Sequence, residues 1–220
     1  MNPELPFTVP EKQLVCGGSD IIMHTLERYF TKVKEANVFT DRVAEDLIKT
    51  VMDASRAAVK NREDYDAMSE IMWCGSVSHS DFTELGRGKD FSVHKLGHEL
   101  SARFDATHGA SLTALWGSWA KYVYQDDTAR FAQFAERIFG VDASSGTEDE
   151  RARLGIEKMV DYFKSLGMPV SLPELLQTKL NDSELHSLAD LATAGDTKKL
   201  GTFHPLTRKD VLAIYKLANA

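Results

Sequence analysis

Five residues of this 220-residue chain have the types and spacings that suit a metal ion. Asp20 and His24 are four residues apart in SDIIMHTLERYF, so on a helix their side chains lie on one face, a turn apart. His94 and His98 repeat that spacing in HKLGHELSARFDATHG, which ends at His108. The second segment predicts a helix that ends, turns and offers a third imidazole where the next helix begins.

One carboxylate with two or three imidazoles is a donor set typical of divalent transition metals. Asp20 and His24 with two of the three later histidines would leave a coordination position open, as catalysis requires, whereas structural zinc sites are closed and rich in cysteine. An acid–histidine pair one turn apart is common on exposed helices. The prediction therefore depends on the three histidines within residues 94–108, and spacing alone leaves open which two of them bind.

Other catalytic patterns are incomplete in this sequence. HELSA (98–102) begins like the zinc-protease motif HExxH, but Ala102 stands where the second histidine is needed. No histidine is followed by aspartate, and neither G-x-S-x-G, GxGxxG nor the P-loop pattern occurs. A helical metal hydrolase with Glu99 as its base is the weaker alternative.

Apolar residues recur at helical spacing through most of the chain. Val43, Leu47 and Val51 fall on one face of a predicted helix over 40–60, and Thr147 with Glu150 predicts a capping box at the start of a helix ending near 167. The glycine pair of CGGSD (16–20) is interpreted as a closely packed helix start. Further helices are predicted near 12–31, 63–80, 90–104, 108–124, 128–138 and from 207 to 218.

No segment alternates with period two, so the predicted fold class is all-α. We expect a single multi-helix domain over 1–220, preceded by an extended lead-in over 1–12 that contains three prolines. The longest central stretch without charge, 109–120, has 12 residues, whereas a membrane span needs about 20. A buried helix is the better interpretation of that stretch.

Composition favours a cytoplasmic protein that binds neither nucleic acid nor membrane. The net charge is −7 and no basic cluster is present to meet phosphates. The two cysteines, Cys16 and Cys74, are too few for a disulfide framework and are expected to be reduced. The first residues lack the basic start and apolar core of a signal peptide.

Taken together, these motifs resemble those of the group III, iron-containing alcohol dehydrogenases, and within them the butanol-dehydrogenase-like branch. The pattern His-x3-His-x9-His-Gly with an upstream Asp-x3-His is highly specific when both parts occur together. The resemblance runs end to end along the chain, and the stretches that carry it are 2–30, 72–123, ARFAQFAERIFGV (129–141) and HPLTRKDVLAIYKLA (204–218).

The resemblance implies a complete set of functional residues. The metal ligands of the family fall on Asp20, His24, His94 and His108, and its non-ligand histidine, close to the nicotinamide and the substrate, falls on His98. The implied metal is iron(II), with zinc or another divalent ion in some members, and the implied cofactor is NAD or NADP. The implied substrates are primary alcohols such as butanol and their aldehydes, and the implied fold is the helical C-terminal domain (dehydroquinate synthase-like).

Family members also carry an N-terminal α/β nucleotide-binding domain, to which nothing in this sequence corresponds. We therefore expect the chain to work with such a domain or with a partner that supplies it. The alternative is a helical metal-binding module that is inactive alone. A helical domain that exposes the face for its partner is also expected to self-associate as a homo-oligomer.

Overall fold

A computed structural model describes all residues, 1–220, and confirms the all-α prediction. Its only extended pairing is an isolated bridge between Leu200 and Leu206. None of its helices combines the length and apolar character that crossing a bilayer requires. The ten α-helices are α1 (Glu11–Tyr29), α2 (Val38–Lys60), α3 (Tyr65–Ser78), α4 (Ser92–Phe104), α5 (His108–Val123), α6 (Thr128–Phe139), α7 (Glu148–Ser165), α8 (Leu172–Leu176), α9 (Asp182–Thr193) and α10 (Arg208–Ala218).

The helices with the strongest sequence signals lie where they were predicted. The capping box at the start of α7 is present, with the Thr147 hydroxyl accepting from the Glu150 amide and the Glu150 carboxylate accepting from the Thr147 amide. Helices α8 and α9 were not predicted. Helix α9 has 12 residues and begins with a capping box from Asn181 and Glu184, in which asparagine takes the place of the usual serine or threonine.

The lead-in is not wholly extended, which corrects the prediction for 1–12. Leu5–Thr8 forms one turn of 3-10 helix, with the Phe7 amide bonded to the Glu4 carbonyl at 3.2 Å. Pro6 stands near the start of this turn, where its fixed φ suits a helical conformation and its missing N–H costs nothing. Proline thus nucleates a turn here instead of keeping the chain straight.

The chain forms two compact units, Met1–Lys89 and Asp90–Ala220. The single domain expected from the sequence stays a prediction. In the first unit α1, α2 and α3 pack on one another. Gly18 lies inside α1 and not at its start, but the predicted close packing is present, because a Cβ there would lie 2.6 Å from the Ser55 Oγ of α2.

A buried ion pair holds the loops of the first unit. The Arg87 guanidinium donates to both carboxylate oxygens of Asp41, from Nε at 2.8 Å and Nη2 at 2.5 Å. Arg87 Nη1 also donates to the carbonyls of Val33 and Glu35, at 3.1 and 3.2 Å. One side chain therefore fixes the loop before α2 to the loop after α3 and satisfies two backbone acceptors.

The second unit is organised around α5, which contacts α4, α7, α8 and α10. Trp116 is fully buried, with its ring centroid 6.0 Å from that of Phe134 and 6.3 Å from that of Phe163. Helices α6 and α7 approach closely at Gly155, where a Cβ would lie 2.7 Å from the Cβ of Ala135 and 3.1 Å from its Cα.

Replacing Arg87 tests the buried ion pair. We expect Arg87→Met to lower the free energy of unfolding by about 3–5 kcal/mol, because the buried Asp41 carboxylate loses its guanidinium partner. Urea denaturation measures the change. The matched control is Arg153→Met, which breaks an exposed pair with Asp149 (2.8 Å) and should change stability by less than about 1 kcal/mol. Equal effects of the two substitutions would contradict this account.

Two glycines in helices should respond oppositely to alanine. Gly17→Ala should stabilise by about 0.5–1 kcal/mol through helix propensity, since no heavy atom lies within 4 Å of the added Cβ. Gly155→Ala should destabilise by about 1–3 kcal/mol, because the added methyl meets helix backbone that cannot move aside. Thermal unfolding of both variants checks the sign, and a rise in stability for Gly155→Ala would refute the close packing of α6 and α7.

Candidate metal centre

Asp20 and His24 lie on one face of α1, as their spacing predicts. His24 Nε2 is 3.7 Å from Asp20 Oδ1. Both side chains are partly exposed, Asp20 to 24 % and His24 to 18 %, so water and ions reach them although α1 is otherwise largely buried. The pair thus presents one carboxylate and one imidazole side by side.

A third group, His79, joins this pair within the first unit. His79 caps the C-terminus of α3, and its Nε2 is 3.8 Å from Asp20 Oδ2. Its ring centroid is 3.9 Å from that of His24, with 38° between the ring planes. His79 was not predicted as a ligand from the sequence. No local pattern marks it, since its closeness to Asp20 arises from the packing of α3 on α1.

Arg28 and Glu84 set the orientation of His24. Arg28 Nη1 is 3.2 Å from His24 Nδ1 and 2.9 Å from the His24 carbonyl oxygen, and Arg28 Nε donates to Glu84 at 3.3 Å. A guanidinium only donates, so this arrangement makes Nδ1 the acceptor. A cation held at Nε2 would require the ring proton to lie on Nδ1, and Arg28 would then keep its bonds to the His24 carbonyl and to Glu84.

The second unit gathers the other three predicted histidines. The ring centroids of His94 and His108 are 5.3 Å apart, those of His98 and His108 are 5.2 Å apart, and those of His94 and His98 are 6.2 Å apart. His94 is buried at 4 % exposure, His108 is intermediate and His98 is exposed. The predicted helix, turn and third imidazole are therefore confirmed as local structure.

A close helix pair brings these rings together. Helix α4 ends at Phe104, and Asp105 adopts a left-handed conformation (φ 52°) that reverses the chain so that α5 begins at His108. Gly97 faces α5, where a Cβ would lie 2.8 Å from Ser111 Oγ and 2.9 Å from a methyl carbon of Leu112. A larger residue at position 97 would separate α4 from α5.

Buried Asp90 anchors the start of α4. Its Oδ1 accepts from the amides of Thr202 at 2.6 Å and Phe203 at 2.7 Å, and its Oδ2 accepts from the Ser92 amide at 3.1 Å. Further along α4, the Leu96 carbonyl accepts a hydrogen bond from the Tyr215 hydroxyl of α10 at 2.9 Å. The helix that carries His94 is thus fixed to two distant segments of its unit.

The donor chemistry of both clusters fits a divalent transition metal. Imidazole nitrogens and a carboxylate suit iron(II) and zinc. Neither cysteine lies in these clusters: Cys16 and Cys74 are buried and form no disulfide, and burial, with Glu70 nearby, raises the pKa of Cys74 to about 11. The four predicted ligands are divided between the units, with Asp20 and His24 in the first and His94 and His108 in the second.

The C-terminal family model of the Fe-containing alcohol dehydrogenases matches residues 14–219. NADH-dependent butanol dehydrogenase A of Clostridium acetobutylicum is 34 % identical over 217 residues, which is 98 % of this chain and 54 % of that protein. The NADPH-dependent aldehyde reductase YqhD of Escherichia coli is 30 % identical over 224 residues, covering 99 % of this chain and 55 % of that protein.

Solved structures show the same helical fold. The crystal structure of NADH-dependent butanol dehydrogenase A from Thermotoga maritima matches with a TM-score of 0.90 and 31 % identity, over 99 % of this chain and 55 % of that one. The chain thus spans about half the length of the relatives it matches. On the family match and these relatives, the chain belongs to the Fe-containing alcohol dehydrogenase family and corresponds to its C-terminal, helical part.

Proposed function

We propose that this chain provides the metal-binding part of an NAD(P)-linked alcohol dehydrogenase or aldehyde reductase. Asp20, His24, His94 and His108 would hold one divalent cation. The observation that carries the proposal is the cluster of imidazoles in the second unit, of which His94 and His108 lie 5.3 Å apart between ring centroids in a chain of this family. Iron(II) is the proposed metal, and zinc accepts the same donors.

The proposed residues supply the binding and positioning of the reactants. A bound divalent cation would act as a Lewis acid toward the oxygen of an alcohol or aldehyde. Asp20 contributes the negative charge that offsets part of the charge of the cation, and buried His94 contributes a neutral nitrogen fixed by α4. Because the donors lie on helices, their positions depend little on loop motion.

His98 is proposed as the catalytic histidine that also contacts the cofactor. It lies one turn after His94, it is exposed, and its ring stacks on that of His108 with 28° between the planes. A side chain in this position can exchange a proton with solvent beside the ligands. We therefore assign His98 to moving a proton to or from the substrate oxygen, next to the nicotinamide.

The proposed substrates are primary alcohols such as butanol and the matching aldehydes, and the proposed cofactor is NAD or NADP. The support is that similar proteins are an NADH-dependent butanol dehydrogenase and an NADPH-dependent aldehyde reductase. A nucleotide-binding domain or a partner that supplies one would complete the reaction. The second candidate function is a helical module that binds metal and is inactive alone, which the match to about half of each relative favours.

Replacing His108 tests the proposed ligand set. After anaerobic loading with iron(II), we expect about one ion per wild-type chain and loss of most bound metal in His108→Ala. Removing a side chain that only hydrogen-bonds a ligand weakens metal affinity by about 10- to 100-fold, and removing the ligand itself should cost more. Elemental analysis after gel filtration measures the ion. The control is His186→Ala, which removes a histidine paired with Asp182 on α9. Equal metal content in wild type and His108→Ala would refute the assignment.

Cofactor binding separates the two candidate functions. We expect the 220-residue chain to show no tight binding of NADPH in a fluorescence titration, because the residues that read the nucleotide lie in the α/β domain of the family. Saturable binding in the low micromolar range would contradict this expectation. Hydride transfer from butanol when a nucleotide-binding domain is added back would favour the dehydrogenase over the module.

A further inference from the structure

We propose that His79 is a third metal ligand supplied by the first unit, so that Asp20, His24 and His79 form a three-donor site for a divalent transition metal. Asp20 and His24 are also ligands in the proposed function, on which this inference rests in part. His79 is new, because neither the sequence motifs nor the resemblance assigns it a role. Its place rests on three features of the first unit: distance, orientation and access.

The distances suit a shared ion. One ligand atom from each of the three residues can be chosen so that all lie within 4.8 Å of one another. Asp20 oxygens are 3.7 Å from His24 Nε2 and 3.8 Å from His79 Nε2. Donors about 2.1 Å from a tetrahedral ion are about 3.4 Å apart, so small side-chain rotations would bring these atoms to bonding positions.

The orientation of His79 leaves its Nε2 as the nitrogen that can bind a metal. His79 Nδ1 lies 2.9 Å from the Gly75 carbonyl oxygen, which can only accept, so Nδ1 carries the proton. Ser78 Oγ, also 2.9 Å from Nδ1, further confines the ring. A histidine whose second nitrogen donates to a backbone carbonyl is the usual arrangement of a metal ligand.

Two of the three donors, Asp20 and His79, border a groove that is open to solvent. The His79 side chain is 46 % exposed. With Asp20 it lies on an open groove of the first unit, whose other lining residues, such as Gly17, Ile21 and Met72, are small or apolar. The groove thus offers a cation two of the three donors, and His24, whose side chain is 18 % exposed, lies beside Asp20.

The Asp182–His186 pair on α9 shows what a pair without a third donor looks like. His186 Nε2 is 3.3 Å from Asp182, and Arg208 Nη2 lies 3.2 Å from His186 Nδ1, much as Arg28 meets His24. The two pairs differ in the group beside the carboxylate. Asp182 is contacted by Lys216 Nζ at 2.7 Å, whereas Asp20 is contacted by the imidazole of His79. An ammonium repels a metal cation, so His186 serves as a matched control.

Chemical footprinting of the wild-type 220-residue chain is the first test. Diethylpyrocarbonate modifies accessible imidazole nitrogens, and peptide mass spectrometry reads each histidine separately. With saturating zinc, we expect carbethoxylation of His79 to slow by at least about tenfold, because coordination occupies the Nε2 lone pair. The rate for His186 should not change. An unchanged rate for His79 would overturn the proposal.

Zinc titration of variants is the second test, and it separates coordination from simple shielding of the ring. We expect His94→Ala/His108→Ala to keep one site, at least about 100-fold weaker than wild type. Adding His79→Ala should weaken that residual site by at least about tenfold further, whereas adding His186→Ala should not. No residual site, or one indifferent to His79→Ala, would overturn the proposal.

The same titration separates failure of this inference from failure of the proposed function. If the double variant that combines His94→Ala with His108→Ala binds zinc as tightly as wild type, the four-ligand centre is wrong, whether or not His79 is a ligand. If the double variant loses affinity but His79→Ala changes nothing in either background, the four-ligand centre survives and His79 is not a ligand. Circular dichroism shows whether each variant is folded, and the wild-type footprint decides the question if the double variant is not.

Discussion

The contact of α4 with α5 at Gly97 is the constraint on which the imidazole cluster depends. The absence of a side chain at Gly97 lets Ser111 and Leu112 approach the backbone of α4. This approach, with the chain reversal at left-handed Asp105, brings the ring of His108, the first residue of α5, to 5.3 Å from that of His94 in α4. The rings of His94 and His98 both lie beside that of His108 for that reason, and of the two His94 is buried whereas His98 is exposed.

In the first unit, helix spacing and helix packing together bring Asp20, His24 and His79 close to one another. The one-turn spacing within α1 sets Asp20 beside His24 before any tertiary contact forms. The packing of α3 on α1 then adds His79. The ion pair between Arg87 and Asp41 fixes the loops around these helices, so the donors lie on supported elements of their unit.

Local structure was the part of the molecule that the sequence could predict. Helical periodicity and one capping box located α2, α7 and α10, and the spacing from His94 to His108 predicted a helix, a turn and a second helix. Helix α9 was not predicted although Leu185, Leu188 and Ala189 recur at helical spacing, because its Asn181–Glu184 capping box was not recognised. The 3-10 turn at Leu5–Thr8 depends on proline geometry, which periodicity does not register.

Local sequence spacing is also insufficient to identify the metal ligands of the candidate site. Asp20–His24 and Asp182–His186 have identical spacing, and only their surroundings, an imidazole in one case and Lys216 in the other, distinguish them. Nothing local marks His79, whose neighbours come from packing. The choice of His94 and His108 over His98 came from the family resemblance, since spacing alone left it open.

The central claim is that Asp20, His24, His94 and His108 bind one divalent cation. The most direct test is a crystal structure of the anaerobically loaded chain, with anomalous diffraction measured at the absorption edge of the metal. We expect a single strong peak about 2.0–2.2 Å from a carboxylate oxygen of Asp20 and from ring nitrogens of His24, His94 and His108, with His79 Nε2 as a further ligand if the inference about His79 holds. A metal peak bound only by residues of the first unit, with His94 and His108 too far from the ion to coordinate it, would contradict the account.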